Sequence, residues 1–379
     1  MASLSRIPLP SPAPGTERSL TVCRYGTPGA RPRAYLHAGL HADEHPGLLV
    51  LHELRRLLEA TAAQDIPGEI VIVPVANPVG LTQHLNGHLV GRFGFDGSGN
   101  FNRGFPDLAQ AAAGHLAGQL RDDPRANVAL IRQTLISLLD EQIRSGETEI
   151  LKATLLRLAI DADLALDIHC DDEALLHLYA SRHHQGLARE LAADTGAAVL
   201  MLEDDPGGQP FDEAVAGPWW KLRRHLGDDA PIPLACFATT LELRGRADVG
   251  GELAAQDAVA LYRFLQRRGV IAGDPGKPPT AGYLEVPLEG VDIPVAPSAG
   301  VVNYRKQLGE WVRRGEVVAE LVDPLAANPE AAVRPIESAT DGLLFTCLVE
   351  KLVRPGQSVC KIAGTEKLAH RRAGQLLQP

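Results

Sequence analysis

Leu36-His37-Ala38-Gly39-Leu40-His41-Ala42-Asp43-Glu44-His45-Pro46-Gly47 stands between a short apolar run, Ala34–Leu36, and a stretch of helical periodicity, Pro46–Ala63. A strand that ends in a polar turn and feeds a helix is the building unit of α/β folds, whose functional groups collect where strands end. His41 and Glu44 are spaced so that such a turn can aim an imidazole nitrogen and a carboxylate at one point. His37 and His41 also form an H-x₃-H pair, but Gly39 and the strand-end setting argue against a helix there. Surface or capping roles remain the plain alternative for any one of these residues.

Further along the chain the same alternation continues. Glu69–Pro74, Ala165–Ile168, Leu175–Ala180, Ala198–Met201 and Ala235–Leu243 read as strands, and Asn127–Ile143, Leu151–Ile160, His184–Thr195 and Glu252–Arg268 as helices. An α/β domain with a largely parallel sheet is therefore expected over residues 1–271. Near Gly269 the composition changes. Gly273, Pro275, Gly276, Pro278 and Pro279 mark a linker, after which Val-rich segments dominate and no helix-length pattern is expected before the last dozen residues.

That C-terminal part repeats itself. Ala299–Val302 is followed by Trp311–Leu321, and Asp341–Leu344 by Leu352–Ile362, with each half turning on a glycine, Gly315 or Gly356. Two such halves can pack as a pseudo-symmetric β-sandwich over residues 280–365. This resembles the barrel-sandwich fold of biotinyl and lipoyl carrier domains, whose modified Lys lies in the hairpin joining the halves. Here the join, Val322 through Ala339, holds no Lys. A structural or oligomerising module is the better expectation, with a homo-oligomer left open.

Three more clusters complete the chemistry. Asp167-Ile168-His169 closes an apolar run and can supply the third ligand of a two-His, one-carboxylate catalytic zinc site, which keeps a position for water. Asp167 reads either as a partner of that His or as a strand-end polar residue. The Gly- and Asn-rich stretch Asp96–Pro106 carries Asn102 and Arg103; the Arg fork matches a carboxylate and the Asn amide can add a donor. Glu242, at the end of the Ala235–Leu243 run, can act as a general base or simply pair with a cation such as Arg244.

Together these residues resemble the succinylglutamate desuccinylase/aspartoacylase family of the zinc carboxypeptidase-like superfamily. The matching order is Gly39-x-His41-x-x-Glu44, then Asn102-Arg103-x-Phe105-Pro106, then Asp167-x-His169, then Glu242, with Asn77-Pro78 also fitting. The resemblance implies a mixed sheet flanked by helices, with Zn²⁺ held by His41, Glu44 and His169. It makes Glu242 the catalytic base, Arg92 the residue that polarises the scissile carbonyl, and Asn102 and Arg103 the carboxylate grip. It favours a deacylase acting on a small N-acyl substrate over a metallocarboxypeptidase or a scaffold that kept the fold. Two positions depart from the family pattern: Ala42 and Arg244 stand where glycines are usual.

Bulk properties agree. The 379 residues are 45% hydrophobic and 22% charged, which suits globular domains, and the net charge of −10 argues against a nucleic-acid partner. No secretory signal and no spanning stretch is visible. Five scattered cysteines (Cys23, Cys170, Cys236, Cys347, Cys360) read as reduced thiols, so a soluble cytoplasmic protein is expected. The C-terminal module is expected to stay unmodified: intact mass after production in a biotinylating and lipoylating host should equal the sequence mass, and an added biotin or lipoyl group would contradict this.

Overall fold

The structure, a computed structural model, describes residues 3–142, 144–227 and 230–376. Its centre is a nine-stranded sheet. In spatial order the strands are Ser3–Leu9, Arg18–Gly26, Glu69–Val73, Arg33–Ala38, Leu164–Asp171, Phe237–Gly245, His177–Ser181, Val199–Glu203 and Leu284–Pro287. The sheet is mixed: Phe237–Gly245 runs parallel to Leu164–Asp171 but antiparallel to His177–Ser181, and the Ser3–Leu9 hairpin is antiparallel throughout. Its middle strands are buried on both faces, so Glu69–Val73 and Leu164–Cys170 show no alternation of buried and exposed residues.

Alternation along each strand divides the core in two. Tyr35 and Val71 face one apolar cluster, closed by the helices Ala109–Leu116, Pro124–Glu141, Glu147–Ala159 and Phe211–Leu226. Leu36, Ile70 and Ile72 face the other, closed by Pro46–Ala60, Gln185–Thr195 and Gly251–Arg267. The first of these last three starts with Pro46 in its first turn and buries Val50, Leu51, Leu54 and Leu58 on one stripe.

Most expected elements stand within a few residues of their expected limits. Ile143, the last residue of one expected helix, lies outside the described residues. Other elements were not legible. Ser3–Leu9 carries Pro8, which an edge strand tolerates because one side needs no partner. The Phe211–Leu226 helix contains Pro218, normally a breaker, yet Phe211, Val215, Trp219 and Leu222 bury a continuous stripe that outweighs it. No helix forms in the described part of the last dozen residues.

Beyond Val291 the chain forms two more sheets around one apolar core. One pairs Val333–Glu337, Val317–Val322, Gly300–Tyr304 and Leu352–Val353; the other contains Gly342–Cys347, Cys360–Gly364, Val291–Asp292 and Trp311–Val312. The repeat shows in an exchange of short strands. Trp311 and Val312 of the first half pair with Leu343 and Gly342 of the second, while Leu352 and Val353 of the second pair with Val301 and Gly300 of the first. The two sheets stay separate on either side of that core and close no barrel among the described residues. Leu284–Pro287 belongs to the large sheet, and in return Glu173–Ala174 pairs with Thr346 and Cys347.

The seam between the two parts is an apolar cluster of Val199, Met201, Val286, Leu288, Val291, Phe345, Ala363 and Leu376. Phe345 is fully buried there. Phe345→Ala should therefore cost about 3–5 kcal/mol of stability, read by chemical denaturation; a loss below about 1 kcal/mol would mean that the seam does not hold the parts together.

Candidate metal and hydrolytic site

The turn after Arg33–Ala38 passes through Gly39 at φ +70, where a Cβ would lie 2.9 Å from the Leu48 side chain. Asn77 braces this turn: its amide donates to the Leu40 carbonyl (2.9 Å) and its oxygen accepts from Gly80 N (2.7 Å). His41 and Glu44 are thereby presented inward, both buried. His169 comes from the neighbouring Leu164–Asp171 strand, and ligand atoms of the three residues lie within 4.8 Å of one another.

The tethers on these groups matter as much as their proximity. His41 Nε2 lies 2.8 Å from Asn100 Oδ1, and His169 Nε2 lies 2.8 Å from Asp167 Oδ1. Both partners are acceptors, so each Nε2 carries the hydrogen and each neutral ring keeps its lone pair on Nδ1. Those two Nδ1 atoms face the same carboxylate, His41 at 2.9 Å from Glu44 Oε1 and His169 at 2.7 Å from Oε2. Three acceptors converging on one buried point call for a cation between them, and two imidazoles with one carboxylate suit zinc.

Behind His169 lies a buried polar chain. Tyr35 OH meets His37 Nδ1 at 2.9 Å, and His37 Nε2 meets Asp167 Oδ1 at 2.6 Å. Burial pushes the Asp167 carboxyl up, but the charges of His169 and His37 outweigh it and hold the group well below the usual range. Burial in turn acts to lower His169, and Asp167 and Glu44 override it and raise it. His41 is lowered, chiefly by burial.

Asn102 was expected to offer its amide to a substrate. Instead its Nδ2 donates to Asp167 Oδ2 (3.0 Å) and touches His169 Nε2 (3.1 Å), while its Oδ1 accepts from Phe211 N (2.9 Å). It ties the 96–106 loop to the His169 strand and to the start of the Phe211–Leu226 helix. Lys152 fastens the same loop from the Glu147–Ala159 helix, donating to the carbonyls of Asn100 (3.1 Å) and Arg103 (2.7 Å). Sequence reading missed Asn100 and Lys152 as site supports. The Asn-x-Asn spacing in the loop was the available signal for the first; nothing local marked the second.

Glu242 pairs in register with His169 on one side and His177 on the other, so its side chain shares their row. Its Oε2 is buried and has no hydrogen-bond partner among the described residues. Burial, then the charge of Glu44, pushes the carboxyl up to about 8. Arg92 reaches Glu44 Oε1 (2.8 Å) and His41 Nδ1 (3.2 Å) through Nη1. All seven expected residues line a single cavity of about 370 Å³, to which Lys361 and Arg371 from the C-terminal part also contribute.

The two departures from the family pattern are accommodated differently. Ala42 packs its methyl against Gly80 and Gly91, whose own Cβ atoms would lie 2.9 and 2.6 Å from it. Arg244 adopts φ +59, a conformation that favours glycine, where the pairing with Leu164–Asp171 slips; its guanidinium is ion-paired with Asp257.

Comparison with known proteins agrees with this geometry. Residues 30–268 match the model of the succinylglutamate desuccinylase/aspartoacylase catalytic domain. The chain is 26% identical over 349 residues to an N-alpha-acetyl-L-2,4-diaminobutyric acid deacetylase of Halomonas elongata, covering 88% of this chain and 83% of that one. A solved succinylglutamate desuccinylase/aspartoacylase family protein of Shewanella amazonensis superposes with a TM-score of 0.83 at 25% identity, over 95% of this chain and 98% of that one. A protein of similar description from Shewanella frigidimarina gives a TM-score of 0.85 at 23% identity, over 96% and 97%, and so shares the fold.

If Asp167 fixes the His169 tautomer, Asp167→Asn should weaken binding of a divalent cation about 10–100-fold, measured by competition with a chromophoric zinc chelator. Unchanged affinity would separate Asp167 from the site.

Proposed function

The chain belongs to the succinylglutamate desuccinylase/aspartoacylase family, and on that premise we propose that it is a zinc-dependent deacylase hydrolysing the amide bond of an N-acyl amino acid or a similar small carboxylate-bearing substrate. The observation that carries this reading is the convergence of His41 Nδ1, His169 Nδ1 and the Glu44 carboxylate, with the opposite ring nitrogens tethered. Beside them, Glu242 offers a carboxyl oxygen without a partner among the described residues. The Halomonas relative, named for removing an acetyl group from an amino acid, supports amide cleavage as the reaction.

His41, Glu44 and His169 would hold the zinc, which when bound supplies Lewis acidity for the amide carbonyl and for a water molecule. Glu242 takes the proton released as water attacks the carbonyl carbon, and returns it to the nitrogen as the C–N bond breaks. Arg92, already beside Glu44, adds positive charge where the carbonyl oxygen becomes negative. Arg103 grips the substrate carboxylate with its two-pronged guanidinium, and Asn102, its amide engaged by Asp167, holds the loop in place instead of binding substrate.

Access favours a small substrate over a peptide. Thr346, Leu348, Val359 and Lys361 of the C-terminal part line the cavity together with the His41 turn, so the module walls in part of the site. A volume of about 370 Å³ lies at the small end of ligand sites.

Glu242→Gln should retain zinc and near-normal substrate affinity while losing about 10²–10⁴-fold in kcat. In the same assay Arg103→Ala should mainly raise KM, because it removes positioning and not proton transfer. Wild-type turnover in Glu242→Gln would place the base elsewhere and overturn the mechanism.

A further inference from the structure

One wall of the cavity is not used by the chemistry above. Glu203, at the end of the Val199–Glu203 strand, is only 6% exposed, and its Oε2 has no hydrogen-bond partner among the described residues. It lines the same cavity as His41, Glu44 and His169, together with Asp212 in the first turn of the Phe211–Leu226 helix. We propose that Glu203 and Asp212 form a subsite for a cationic group, an ammonium carried on the side chain of the amino acid whose N-acyl bond is cleaved. The inference rests on the deacylase reading and adds to it the charge of the substrate's far end.

The physical case begins with charge. Asp212, Glu213, Asp204 and Asp205 all add negative charge around Glu203, and two nearby cations already have carboxylate partners. Lys221 bonds Glu213 and Asp107, and Arg182 bonds Asp204 and Glu289. Burial first, then Asp212 and its acidic neighbours, pushes Glu203 up to about 9; Asp212 is pushed up to about 7 by burial and then by Asp167. A buried carboxyl with an unmet oxygen is costly, and an ammonium at this wall supplies both the missing hydrogen bond and the missing charge. Arg103 and Arg371 line the same cavity. The site therefore offers cationic side chains for a carboxylate and anionic ones for an amine, the pattern an amino acid with a basic side chain requires.

The wall is also held rigidly. Gly104 N and Phe105 N donate to the carbonyls of Gly208 (2.8 Å) and Gln209 (3.1 Å), tying the 204–210 segment to the Arg103 loop. From the other side Gly374 N and Leu376 N donate to Asp205 O (2.7 Å) and Pro206 O (3.0 Å). A segment fixed on both flanks sets the spacing of Glu203 and Asp212, which stand just before and after it, as a specificity site needs.

The test uses the zinc-loaded full-length protein with three acetylated amino acids matched in length: Nα-acetylornithine, Nα-acetylnorleucine and Nα-acetylglutamate. Ornithine and norleucine differ only in an ammonium against a methyl. Wild type should favour the ornithine compound by about tenfold or more in kcat/KM over norleucine, and over glutamate by more still. Glu203→Gln, nearly isosteric, should reduce the ornithine-to-norleucine ratio at least tenfold, chiefly through KM, and Asp212→Asn should reduce it in the same direction. A preference for norleucine or glutamate, or a ratio that both variants leave unchanged, overturns the subsite. Calorimetric binding of free ornithine and norleucine to the same proteins separates the two readings. An ornithine preference in binding that depends on Glu203, without hydrolysis of any acetylated compound, would keep the subsite and remove the deacylase.

Discussion

One buried carboxylate organises the site. Asp167 lies at the centre of the sheet with no exposure, and it receives hydrogen bonds from His37, His169 and Asn102. These partners come from two adjacent strands and from a loop more than sixty residues upstream. Their common acceptor fixes the His169 ring, the loop that carries Arg103 and, through Asn102 Oδ1, the start of the Phe211–Leu226 helix. An ionised group this deep is tolerable only because each of its oxygens is met by a donor, so loosening any partner exposes the others to the cost of a buried charge.

The alternation of strands and helices was legible in the sequence because each element carries its own periodicity. The His41–Glu44 turn was legible because Gly39 and Pro46 punctuate it. What could not be read depends on pairing across the chain. Glu242 sits beside His169 only because two strands separated by about seventy residues lie parallel in that register. The role of Asp167 likewise depended on His37 standing opposite it on the neighbouring strand. The Phe211–Leu226 helix was hidden by Pro218, whose local signal is overruled by a buried stripe that exists only after the sheet has formed. Glu203 ends a run of strand residues and gave no sign of facing the site, because the acidic string after it reads as a solvated turn.

The C-terminal sheets and the main domain are interwoven more closely than a linker at Gly273–Pro279 suggests. Glu173–Ala174 completes a sheet of the module, while Leu284–Pro287 completes the sheet of the main domain. This exchange pairs the outer edges of Val199–Glu203 and Gly342–Cys347 with strands from the other part, and Lys361 of the module meets Asp171 of the main domain at the cavity. Specificity in such a site can change through module residues without disturbing the residues that carry the chemistry.

The tail that fastens Asp205 and Pro206 has a consequence for how the protein is made. Groups lining the cavity span the chain from His41 to Leu376. The sheet strands from Ser3 to Gly245 can leave the ribosome and begin to pair while the roof is still untranslated. The cavity is therefore complete only once Leu376 has been translated, and a nascent chain that already brings His41, Glu44 and His169 together still lacks the walls supplied by Lys361, Arg371 and Leu376. Timing of synthesis thus sets when the cavity closes around these three groups.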